Sequence, residues 1–172
     1  MSIDDLSMLG DDQIDYATLA DETLRELALG DDLFVANSAL VTLAIRHSKL
    51  AAPLAWDILT EPHGERYLHA AALNVLFRMD RKRAVDYMIR QVQELDSYVL
   101  NTLAEIMLEN HDYFKSEATI PIVRTVIRRM QQGSNNTKWP DSEVKEKFLR
   151  LYATNHTSAL RPKEGQQGST LQ

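Results

Sequence analysis

Ten carboxylates crowd the first 32 residues of this 172-residue chain, with Arg25 as the only base among them. They are Asp4, Asp5, Asp11, Asp12, Asp15, Asp21, Glu22, Glu26, Asp31 and Asp32. The segment carries −9 in a chain of net charge −6, so the rest is mildly positive. Asymmetry of this kind bears on partners more than on fold. Glu22 and Glu26 stand four apart on an expected helix, where like charges cost a few tenths of a kcal/mol. A cationic partner would relieve that repulsion and be steered in faster. The competing role is capping and solubility, since Asp21, Asp31 and Asp32 lie near helix starts. Asp11-Asp12-x-x-Asp15 offers hard oxygen ligands, but it lacks the glycine and closing glutamate of a calcium loop, and no metal site is expected.

Other constellations lead to no reaction. His63-Gly64-Glu65 has the His-x-Glu spacing of a zinc deaminase, but that chemistry needs a downstream cysteine pair and the chain has no cysteine. The same lack removes disulfides, thiolate catalysis and cysteine-bound zinc. There is no Gly-x-x-x-x-Gly-Lys-Ser/Thr loop, Gly-x-Ser-x-Gly elbow or His-Glu-x-x-His element. Neither an enzymatic activity nor a cofactor is expected. Arg78, Arg81, Lys82, Arg83 and Arg90, joined by Arg124, Arg128 and Arg129, form a basic group suited to phosphate contact. Asp80, Asp86 and Glu94 interrupt it and no aromatic residues interleave for base stacking, which favours a solvated helical face.

These residues are carried on helices. Apolar spacing of three and four predicts helices over 18–29, 33–47, 49–60, 65–79, 81–93, 96–109, 118–131 and from 142 onward. Gly30 is the expected stop of the first, Asp31 or Asp32, Ser48 and Asp80 are candidate caps, and Pro140-Asp141-Ser142 opens the last. Pro53 and Pro121 fall in first turns, where a missing amide costs least. Glu61–Gly64 reads as a turn and 133–137 as a polar linker. No segment alternates with period two, so the fold class is all-α. One domain over 1–155 is expected, with 1–16 an acidic lead-in and 156–172 a polar, disordered tail. The absence of an apolar run of about 20 residues predicts no membrane span. The acidic start, with no basic region before an apolar stretch, predicts a cytoplasmic protein.

The helices repeat. Val35-Ala36-Asn37-Ser38-Ala39-Leu40-Val41-Thr42-Leu43 returns 33 residues later as Leu68-His69-Ala70-Ala71-Ala72-Leu73-Asn74-Val75-Leu76, and 30 residues further on as Tyr98–Ile106. The helices that follow the first two copies pair Ala51 with Ala84, Trp56 with Ile89 and Leu59 with Val92. A period of about 30–35 residues marks stacked helical hairpins. Asp32-x-x-Val35-x-x-x-Ala39-Leu40-x-x-Leu43 and Glu65-x-x-Leu68-x-x-x-Ala72-Leu73-x-x-Leu76 resemble the first helix of a HEAT repeat. The third copy departs from the pattern at Thr102 and Ile106, and the arginine common in such repeats is replaced by Ala36, His69 and Val99. The resemblance covers about residues 31–131. It implies a right-handed stack of about three HEAT-like hairpins, with a capping helix at each end.

Small, acidic HEAT-like domains without a catalytic motif also resemble bacterial immunity proteins, including those paired with contact-dependent inhibition toxins. That likeness implies a protein that occludes the active site of a cognate toxic effector, such as a basic nuclease. The contacts would come from Asp11, Asp12, Asp15, Asp21, Glu22, Glu26, Asp31 and Asp32, together with Asp57, Asp86, Tyr87 and Arg90 on the second helices, which commonly line the concave side of HEAT arrays. Two rivals are a scaffold or adaptor in another complex and a nucleic-acid-binding protein using the arginine-rich helices.

Overall fold

The computed structural model describes residues 6, 9–61, 65–132 and 139–158, with side chains described as far as 153. Among them are eight α-helices: α1 (Asp21–Ala28), α2 (Leu33–Ile45), α3 (Ala51–Thr60), α4 (Arg66–Met79), α5 (Arg81–Gln91), α6 (Ser97–Glu109), α7 (Ile120–Gln132) and α8 (Ser142–Ser158). Short 3-10 turns occupy Asp11–Gln13, Tyr16–Thr18 and Tyr113–Lys115. No strand occurs among the described residues, so the chain is all-α there. No helix among them is long and apolar enough to cross a membrane. The expected turn at 62–64, the linker at 133–137 and the tail from 159 lie outside the described residues, while α8 runs on through 156–158.

Aspartates start four of the helices. Asp32 accepts from the amides of Phe34 (2.9 Å) and Val35 (3.1 Å), and Asp96 from those of Tyr98 (2.7 Å) and Val99 (3.2 Å). Asp80 accepts from Arg83 (3.1 Å) and Asp141 from Glu143 (2.8 Å) and Val144 (3.2 Å). Each side chain satisfies amides that have no partner within the helix, a contribution of about 1 kcal/mol. α2 closes differently from the expected run to His47. The His47 amide bonds to Ala44 O (3.0 Å) and the Ser48 amide to Leu43 O (2.9 Å), with His47 itself at φ 53°. This paired closure requires a left-handed residue, a role usually filled by glycine.

α2, α4, α6 and α8 form a row in which each packs on the one before. α1 lies on α2, α3 on α2 and α4, α5 on α4, and α7 on α5 and α8. Small residues in the row (Ala36, Ala39, Ala72 and Ala104) are fully buried and let helices approach closely. Leu40, Leu43, Leu73, Leu76, Leu103 and Met107, all at zero exposure, fill the space between them.

Two details of the repeat differ from the sequence reading. The helix-starting residues Asp32, Glu65 and Asp96 are 33 and then 31 apart, so the third copy sits one residue later than the 30-residue offset implies. Leu103 and Met107, rather than Thr102 and Ile106, therefore match Ala72 and Leu76. On α5 the buried face is also turned. Tyr87 is buried at 7% exposure while Ile89, expected inward, is 49% exposed. Ala51 with Ala84 and Leu59 with Val92 are buried as pairs, but the Trp56–Ile89 pair is not.

The far end of the row is closed by polar clasps. Tyr152 of α8 donates its buried hydroxyl to Met107 O (2.7 Å), beside the fully buried Phe148. Burial pushes the Tyr152 phenol up to about 12. The Trp139 indole donates to Asn101 Oδ1 (2.7 Å), and the Asn101 amide donates to Glu105 Oε1 (2.9 Å). Burial raises the Glu105 carboxyl above its ordinary value, against the opposing hydrogen bond from Asn101. The folded protein thus holds this proton more tightly than the unfolded chain does, and stability from this group is lost as pH rises through the folded-state pKa. Glu105→Gln is expected to raise the melting temperature at pH 7, with the gain shrinking towards pH 4. Thermal melts of both proteins at the two pH values check this.

Candidate partner-binding surface

The acid-rich end is built around one arginine. Arg46, at the C-terminal end of α2, donates Nη1 to Leu19 O (2.6 Å) and Nη2 to Tyr16 O (2.7 Å), and pairs with Asp21 Oδ1 (3.2 Å). Its fork holds the lead-in and the start of α1 against α2. A hydrogen bond from Ser48, then Arg46 itself, holds the Asp21 carboxyl below its usual range. Asp11 accepts from the Tyr16 hydroxyl (2.7 Å), and burial, reinforced by this carboxylate, raises the Tyr16 phenol. Asp15 accepts from the Ala17 amide (3.2 Å).

The eight acids proposed from the sequence at this end divide accordingly. Asp11, Asp15, Asp21 and Asp32 stabilise local structure, while Asp12, Glu22, Glu26 and Asp31 are exposed and project from the lead-in, α1 and the α1–α2 turn. The second proposed group lies on α3 and α5. Asp57 is half-buried and Asp86 and Arg90 are exposed. Tyr87 is not part of an open surface, because its ring lies edge-on to Trp56 with centroids 6.3 Å apart.

Several arginines of the basic group are committed to aromatic rings or backbone. Arg83 lies 4.1 Å over Trp56, and Arg81 lies 4.9 Å over Phe77 and 5.0 Å over Tyr113. Arg129 donates to Val92 O (2.9 Å). Such cation–π contacts hold the charge in place against the protein. Arg78, Arg90, Arg124 and Arg128 stay exposed, and they are spread over three helices. No grouping of three or more His, Asp or Glu side chains able to hold a metal ion occurs among the described residues.

The sequence reading missed a surface on the outer side of the row. Phe34 (77% exposed), Val41 (37%) and Ile45 (70%) lie seven and four residues apart on α2, Val41 and Ile45 as neighbours and Phe34 two turns away beyond Asn37 and Ser38. A cavity of about 570 Å³ beside Val41 and Ile45 is lined by apolar residues of α2 and α4 (Ala44, Ala71, Val75 and Met79) and by the polar His47, Asn74 and Arg78. At the other end of α4, Tyr67 packs on Tyr98 with centroids 4.8 Å apart, and Arg66 lies 4.3 Å over the Tyr98 ring. The available signal was composition: ten of the thirteen residues in Leu33–Ile45 are apolar, more than one buried face requires.

No family model, curated protein or solved structure matches this chain.

Arg46→Ala removes a charged donor from two carbonyls and one carboxylate. It is expected to lower unfolding stability by about 2 kcal/mol and to speed hydrogen exchange at the Thr18 and Leu19 amides. Urea titration and exchange measurements check the two effects.

Proposed function

We propose that this chain is a non-enzymatic binding protein built as a stack of about three HEAT-like hairpins, and that its acid-rich end grips a protein with a basic surface. The observation that carries the reading is the set of four exposed carboxylates, Asp12, Glu22, Glu26 and Asp31, left over once the capping and bridging acids are accounted for. Surface carboxylates concentrated at one end add little to folding and create a negative field that speeds encounter with a cation. The specific form we favour is an immunity protein that covers the active site of a cognate toxic effector, with a basic nuclease as the fitting partner and the cytoplasm as the place of action. Asp57, Asp86 and Arg90 would extend the contact on the α3–α5 side. A scaffold in another complex would use the same surfaces without protecting a cell from any toxin. The nucleic-acid reading is weaker, because Arg81, Arg83 and Arg129 already have partners within the fold.

The test begins with the effector encoded beside this chain, or failing that with a partner captured from native cells and purified. Asp12→Lys, Glu22→Lys, Glu26→Lys and Asp31→Lys together are expected to weaken affinity at least about tenfold and to flatten its salt dependence. An unchanged affinity would rule out the acid-rich end as the contact. Micromolar or tighter binding to duplex DNA with a steep salt slope would overturn the protein-binding reading in favour of nucleic acid.

A further inference from the structure

A smaller cavity, of about 200 Å³, opens where α1 turns into α2. It is lined by the apolar Leu29, Leu33, Ile58 and Leu68 and by two carboxylates, Asp31 and Glu65. Ile58 and Leu68 are buried and form its floor, while the exposed Asp31 and Glu65 stand at its mouth. The repeat shows that these carboxylates are unspent. Asp32, Glu65 and Asp96 hold the same place before α2, α4 and α6. Asp32 and Asp96 each accept from two helix-start amides, whereas Glu65 makes no such bond. Asp31 leaves the start of α2 to Asp32. No hydrogen bond or ion pair engages either carboxylate among the described residues. The neighbouring base, Arg66, is committed elsewhere. Its guanidinium lies 4.3 Å over the Tyr98 ring and 5.3 Å over that of Tyr67, and it does not line the cavity.

Size and chemistry together identify the occupant. The cavity is smaller than the roughly 300–1,000 Å³ of a small-molecule site. It has room for roughly seven waters, about the bulk of one long side chain. An apolar wall suits an aliphatic stem, and an acidic mouth suits a cation at the end of that stem. Arginine meets both conditions, because its guanidinium is weakly hydrated and offers separate edges to two carboxylates. We infer that this cavity receives an arginine side chain of the basic partner, its stem against Leu29 and Leu33 and its guanidinium between Asp31 and Glu65. The inference rests on the reading of the acid-rich end as the partner contact, and it adds Glu65 and a single anchoring group to that contact. An arginine seated in a pocket with its charge paired is the kind of group that dominates an interface.

The test uses the full chain and capped tripeptides with arginine, citrulline or lysine between two glycines. Citrulline keeps the shape of arginine without its charge. In an amide NMR titration the arginine peptide is expected to give saturable shifts at Gly30, Asp31, Leu33 and Leu68 in the millimolar range. The citrulline peptide is expected to bind at least about tenfold more weakly, and the lysine peptide more weakly than arginine. Glu65→Gln is expected to weaken the arginine peptide about tenfold. Its melt should be unchanged, because Glu65 makes no cap bond. No saturable binding, equal binding of citrulline or lysine, or indifference to Glu65→Gln would overturn the inference.

The purified partner separates this inference from the reading beneath it. Asp12→Lys, Glu22→Lys and Glu26→Lys together leave the cavity intact and probe only the surrounding acids. Both that variant and Glu65→Gln are expected to weaken partner affinity at least about tenfold. A loss in the lysine variant with none in Glu65→Gln would keep the acid-rich contact and overturn the arginine anchor. A loss in Glu65→Gln alone would keep the anchor and remove the wider contact.

Discussion

Burial of α4 is the constraint on which the rest of the structure depends. This helix touches α2, α3, α5 and α6, and it buries Leu68, Ala72, Leu73, Val75, Leu76 and Phe77 among them. A helix apolar on so many sides has no stable existence in one hairpin, because half of its surface would face water. Its neighbours inherit the same problem on their outward sides, so the row must be stopped at both ends. The lead-in does this beyond α2, with Leu6 and Ile14 buried and Arg46 as the strap. α8 does it beyond α6, with Phe148 buried and Tyr152 bonded to Met107. Both closures use long polar side chains to satisfy backbone carbonyls, which fixes the angle of the terminal segment in a way that apolar contact alone does not.

The same economy governs charge. A sequence rich in acids at one end and arginines in the middle invites an electrostatic account in terms of partners. The structure assigns part of each population to internal tasks. Asp32, Asp80, Asp96 and Asp141 satisfy helix-start amides, and Arg66, Arg81 and Arg83 lie over aromatic rings. What remains is smaller and more local than the totals imply. That narrowing makes the leftover groups informative, since an exposed surface charge adds little to folding.

Helix positions and most caps were legible in the sequence because both follow from short-range rules. An aspartate shortly before an apolar run states where the helix begins, and Asp32 and Asp80 did so, whereas Ser48 did not, because the cap position of α3 is Leu50 with no side-chain bond. Offsets were less legible. Around residues 98–107 apolar residues stand side by side, as at Leu103-Ala104 and Ile106-Met107, so a copy shifted by one still fits the pattern; the cap at Asp96 and the burial of Leu103 and Met107 resolve it. The rotation of α5 has a similar origin, because Tyr87, Met88 and Ile89 are consecutive and each is a plausible core residue by type. Packing of Tyr87 against Trp56 selects among them. Arg46 was invisible for another reason: its partners are the carbonyls of Tyr16 and Leu19, 30 and 27 residues away, and no pattern encodes a contact to backbone at that distance.

The exposed apolar residues of α2 escaped a periodicity argument because such an argument asks whether apolar residues are present on one face, and never whether they are in surplus on the other. Repetition supplies the missing comparison. Phe34, Tyr67 and Tyr98 occupy equivalent places and are aromatic in all three copies, and the last two are in ring contact, so their character goes with the architecture. Two and three turns further along, the copies diverge, from Val41 and Ile45 through Asn74 and Arg78 to Glu105 and Glu109. One scaffold position thus holds an aliphatic, an amide or a carboxylate, and the next an aliphatic, a cation or a carboxylate. Where the backbone accepts any of these, stability cannot be what selects the aliphatic pair at α2; exposed apolar groups gain nothing from folding and raise the risk of association. The divergence also changes these positions along the row from apolar at α2 to acidic at α6.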